Sequence, residues 1–147
     1  MLHWRGTQRR EKGTTQMPLK VIIMTWSDPK GMEAAAHVAA IKPLMPPPPP
    51  GAPGPFALSD ASALRAFAEA GGLVPVEVVD VETPWHYPDK AAAMRGLASS
   101  GVAARAIAHS GEEAFIAAMT GFIAPFHKAD GSIGFGARAR YLVAEPA

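Results

Sequence analysis

Trp26, Trp85, His86 and Tyr87 are the side chains in this sequence whose types and positions suit ligand chemistry. Trp26 ends the apolar run VIIMTW, and Trp85, His86 and Tyr87 follow the run LVPVEVVDVETP. Ligands in open α/β sheets lie beyond the carboxyl ends of parallel strands. Three aromatic rings and an imidazole at such ends could line a substrate pocket, with His86 able to exchange a proton. The same residues would also serve as amphipathic aromatics packed at a sheet rim. No catalytic residue declares itself. Glu82, His86 and Asp89 do not form a metal set, because Pro84 and Pro88 separate them and no shared face results. His37, His109 and His127 lie far apart, which favours surface or capping roles. No serine stands in a nucleophile elbow, and the absence of cysteine excludes disulfides and thiolate metal sites.

The elements that would position these residues read clearly. LKVIIMTW, residues 19–26, is a continuous apolar run with β-branched members, expected to be a strand covered on both faces. Residues 30–42 are helix formers ended by Pro43. Ser59 or Asp60 caps a second helix with an apolar stripe of Leu64, Phe67 and Ala68, and Gly71 and Gly72 end it. Residues 73–83 form a second strand whose phase changes between Val78 and Val79, which calls for a bulge or two covered faces. Asp89 caps a helix to about Leu97, residues 102–109 are helical again, and Ser110 with Glu113 reads as a capping box for a further helix to about Phe122. From Ile133 to Val143 apolar residues alternate, the pattern of a half-exposed antiparallel strand, expected to pair with residues 73–83.

Between the first two helices lies PPPPPGAPGP, residues 46–55. A proline-reading domain would want a basic residue at fixed spacing, but Met45 stands where a proline is needed, and nothing basic follows before Arg65. Prolines stiffen a chain, and ten residues of polyproline II reach ~31 Å. The stretch is therefore expected to be a stiff connection that forms a wall or lid of the pocket.

The 147 residues suit one domain, 48% of them are apolar, and the mean hydropathy is near zero. Residues 1–20 hold five basic groups against one acidic, a balance of +4, while the remainder holds nine basic and twelve acidic. The basic start, residues 1–18, is expected to be a solvated, poorly ordered segment without a signal-peptide core. The mildly acidic body gives no reason to seek nucleic acid, and no run is long enough for a membrane span. A cytoplasmic setting is expected.

Taken in succession, VIIMTWSDP, PPPPPGAPGPFALSDASALRAFAEAGGL, VEVVDVETPWHYPD and ARARYLVAEP resemble the C-terminal half of class I S-adenosylmethionine-dependent methyltransferases, type 11 or UbiE-like. The resemblance covers residues 19–147. It implies an α/β fold, a partial Rossmann-like sheet in which residues 19–26, 73–83 and 132–144 are the fifth, sixth and seventh strands. The seventh is antiparallel and lies between the other two, and helices 90–124 cap the substrate side. It also implies a small-molecule methyl acceptor. The chain departs from the family in lacking the Gly-rich turn after a strand and the acidic residue that hold S-adenosylmethionine. Gly131, Gly134 and Gly136 precede or lie in a strand, so no cofactor is expected to bind this chain alone. Its expected partners are a missing N-terminal half or another copy, joined through the edge of residues 19–26.

Overall fold

The computed structural model describes residues 19–147; the basic segment 1–18 lies outside the described residues. Two layers meet along an α/β architecture. The first is a three-stranded sheet of β1 (Val21–Trp26), β2 (Leu73–Glu82) and β5 (Arg138–Pro146), in the order β1-β5-β2. Both outer strands run antiparallel to β5, and so parallel to each other. The second layer holds α1 (Ala35–Ile41), α3 (Lys90–Ala98), α4 (Gly101–Ser110) and α5 (Glu112–Ile123). With them lies a two-stranded ribbon of β3 (Trp85–Tyr87) and β4 (Ile133–Phe135). The remaining helix, α2 (Ala61–Ala70), lies on the sheet.

Local chemistry explains most boundaries. Asp60 caps α2 by accepting hydrogen bonds from the amides of Ser62 and Ala63, and Asp89 caps α3 by accepting from Ala92. Gly72 follows α2 with φ +77, the left-handed conformation glycine tolerates best. β2 carries a bulge between Pro75 and Glu77, ahead of the phase change at Val78 and Val79, where the pairing with β5 is regular and both valines are half-buried. One expected cap is absent: Gly111 precedes α5, and Ser110 is the last residue of α4, its hydroxyl donating to the Leu44 carbonyl. The first helix is also shorter than residues 30–42, because turns at residues 30–34 precede α1.

Three further differences bear on function. The expected single strand 132–144 is two strands in two sheets, interrupted at Gly136 and Ala137. Residues 85–87, given no element of their own in the sequence, form β3 and pair with β4, Trp85 opposite Phe135. Finally, β1 is an edge strand among the described residues, and it is covered on one face only. Ile23 packs with Val78, Leu142 and Leu64 beneath α2, whereas Ile22 and Met24 are 65% and 64% exposed on the other face.

The proline stretch bends instead of running as one rod. The Ala52 amide donates to the Pro49 carbonyl, and Gly51 at the turn has φ +76. Met45 before the prolines and Phe56 after them pack on the helical core, and residues 47–55 between them are exposed. The stretch lines neither of the two clefts described below, which corrects its expected place in the pocket wall.

Candidate functional site

Where β1 and β2 end, their chains cross from the sheet into the helical layer. The Ser27 amide donates to the Arg138 carbonyl, and the Thr83 amide to the Ala137 carbonyl. These two bonds bring Trp26 and Trp85 together, with ring centroids 6.1 Å apart. Strand alternation along β3 then turns Trp85 and Tyr87 inward and leaves His86 exposed. The hub of the cluster is Phe135 on β4, 3% exposed. Its ring lies 5.3 Å from Trp85, 6.3 Å from Tyr87, 5.0 Å from Phe122 and 5.1 Å from Phe126. Such tilted and edge-on pairs are favoured by the ring quadrupole.

A cleft of about 300 Å³ opens beside this cluster, walled by Trp85, His86, Tyr87, His37 and Leu97 and rimmed by Ser100. That volume lies at the small end of the range for small-molecule sites. Burial pushes the Tyr87 phenol above its ordinary range, because the phenolate is disfavoured away from water. The backbone of α3 supports the same ring closely: a Cβ on Gly96 would stand 2.7 Å from Tyr87 Cε1. On the far side of β3 a second cleft of about 390 Å³ runs between Glu33 and Lys128, past Trp85, Gly134 and Gly136.

Three of the four sequence candidates, Trp85, His86 and Tyr87, thus line the first cleft, and Trp26 stands behind Trp85 in the aromatic cluster. The sequence missed His37. The one local signal is the helical spacing of Ala34, just before α1, His37 and Ile41, which marks a core-facing side but not the partners found there. Burial lowers the His37 imidazole below its ordinary pKa, keeping the ring neutral at pH 7. Its rings of contact are Trp85 at 5.9 Å and Phe122 at 5.5 Å.

An S-adenosylmethionine site needs a glycine-rich turn from strand to helix and a carboxylate free for the ribose hydroxyls; among the described residues a single glycine stands in such a turn. After β1 the left-handed glycine is Gly31, with nothing within 4 Å of where a Cβ would stand, and Asp28 accepts from the amide of Lys30 within the same turn. The space over Gly134 is filled by the Lys128 ammonium, 3.0 Å from an added Cβ, and that over Gly136 by the Glu33 carboxylate at 3.3 Å. Glu33 also accepts from the Gly136 amide at 2.5 Å, tying the loop before α1 to the break between β4 and β5. Among the described residues no three His, Asp or Glu side chains gather to hold a metal ion, and no helix is long and apolar enough to cross a membrane.

Compared with known protein families and with curated proteins, the chain matches none.

Proposed function

We propose that this chain is the substrate-side, carboxyl-terminal portion of an S-adenosylmethionine-dependent methyltransferase that acts on a small molecule. The observation that carries the reading is the strand order. β5 is antiparallel and sits between β1 and β2, which run parallel to each other. The resemblance requires that order for the fifth, seventh and sixth strands, and nothing in a simple hairpin succession would give it. The aromatic cleft supports it further, since Trp85 and Tyr87 stand just beyond the carboxyl end of β2. The donor is assigned to a portion of the sheet beyond β1. Titration calorimetry of the chain with S-adenosylhomocysteine tests this assignment: no saturable heat is expected, and micromolar binding would overturn it.

A second reading, an assembly module that joins another copy or a separate amino-terminal half, is favoured by the contrast between the two sheet edges. The β2 edge carries Pro75, a bulge, Glu77 and Asp80, all of which discourage strand addition. The β1 edge, VIIMTW, has no proline, charge or bulge. Sedimentation of the purified chain decides whether it joins itself: a clean monomer removes self-pairing, and a dimer lost in Ile22→Lys supports it.

A further inference from the structure

His37 is a polar side chain set among aromatic rings. Its Nε2 is closed off from solvent and has no hydrogen-bond partner among the described residues, yet the ring helps wall the Trp85 cleft. A buried polar atom left unpaired is unfavourable, and such atoms in folded proteins call for a specific explanation.

The surroundings indicate how the ring is used. A neutral imidazole carries one N–H and one lone pair. The Trp85 and Phe122 rings are tilted against His37 by 57° and 60°. Aromatic faces are electron-rich, so an N–H is a better neighbour to them than a lone pair. A proton on the sealed Nε2 suits those neighbours and makes Nδ1 an acceptor. Of the two nitrogens only Nε2 is both sealed and unpaired, so Nδ1 is the one open to a ligand.

We propose that the cleft binds a flat ring compound carrying a hydroxyl or N–H group, which donates to His37 Nδ1 while the ring packs against Trp85 and Tyr87. The walls suit this ligand: two aromatic side chains and Leu97 give apolar contact, and Gly96 lets α3 hold Tyr87 in place without an intervening side chain. The proposal rests on the substrate-side reading for its biological sense and adds which feature of the acceptor is read. A hydroxyl that has gained a methyl group can no longer donate. The cleft therefore favours the unmethylated compound over the methylated one.

Naphthol and its methyl ether differ by that donor and serve as probes. Each is titrated into the full chain and followed by tryptophan fluorescence. Naphthol binds about 3- to 10-fold more tightly, the value of one neutral hydrogen bond. His37→Phe keeps an aromatic ring in place and removes the preference. His37→Asn, whose side-chain oxygen falls near the position of Nδ1, retains part of it; His37→Gln, which reaches toward Nε2, does not. Asn and Gln variants also keep the test open if the Phe variant folds poorly. Equal binding of the two probes to the wild-type chain, or a preference that survives His37→Phe, overturns the role of His37 without touching the substrate-side reading. Micromolar binding of S-adenosylhomocysteine overturns that reading without touching the naphthol preference. A preference restored by Gln in place of Asn overturns the assignment of Nδ1 as the acceptor.

Discussion

Phe115 and Ile22 are both large apolar residues on regular elements, and they end in opposite environments. Phe115 on α5 is 1% exposed, packed in one core with Met119, Ile123, Leu97 and the Phe135 cluster. Ile22 on β1 is 65% exposed, beside Met24 at 64%. The helical layer closes its core with its own side chains. The sheet closes on one face, where Leu64 and Ala68 of α2 cover Leu142 and Ala144, and leaves its other face and its β1 edge open. Burying an aliphatic side chain stabilises by about 1.5–3 kcal/mol, so the open face forgoes stabilisation that the helical layer obtains. The cleft is thus built on the layer with the closed core, while among the described residues the sheet keeps one face and one edge open.

The contrast can be broken most severely at Phe115. Phe115→Ala removes a fully enclosed ring and is expected to lower stability by about 3–5 kcal/mol, measured by chemical denaturation. It should also abolish the cleft, since α5 carries Phe122 against His37.

A smaller effect is expected from pH, acting differently on the two layers. Burial lowers the pKa of His37, so the unfolded chain binds more protons as the imidazole range is crossed. Stability from the helical layer therefore declines as pH falls below about 6.5, and His37→Phe removes that part of the slope. In the sheet, the Arg140 guanidinium holds Asp80 below the ordinary carboxylate range, through paired bonds of 2.6 and 2.7 Å. Its contribution is present above the unfolded carboxylate pKa and is lost as pH falls further. Asp80 is partly exposed, so solvent screening keeps the effect to no more than about 1 kcal/mol. Asp80→Asn flattens this lower part of the profile alone.

The smallest effect is expected on the open face. Ile22→Lys should change the stability of the isolated chain by no more than about 0.5 kcal/mol, read by thermal or urea unfolding, because the side chain already meets solvent. A large loss would mean that the face is covered.

The same contrast governs what was legible in the sequence. Caps at Asp60 and Asp89 act locally through side-chain oxygens, and both were readable. So was the pairing of the last strand with residues 73–83, through alternation. The run VIIM suggested two covered faces, but an apolar run reports only what a strand can bury, and among the described residues nothing lies over one face. Alternation from Ile133 to Val143 hid the change of sheet at Gly136, because a strand that crosses between layers can keep period two through a break. Trp85 and Tyr87 were found by type and position. His37 was not, because its partners Trp85 and Phe122 lie 48 and 85 residues away in sequence. The proline stretch looked like a straight strap, but it turns at Gly51 and lines neither cleft.

Amide hydrogen exchange along β1, followed residue by residue by NMR on the isolated monomer, tests the open sheet most directly. The Ser27 amide faces β5, donating to Arg138, so alternation turns the amides of Ile23 and Thr25 the same way and those of Ile22, Met24 and Trp26 outward. Fast exchange is expected at Ile22, Met24 and Trp26, and slow exchange at Ile23, Thr25 and Ser27. Protection at all six would show the edge already covered within the chain, and would contradict a sheet that awaits its remaining strands.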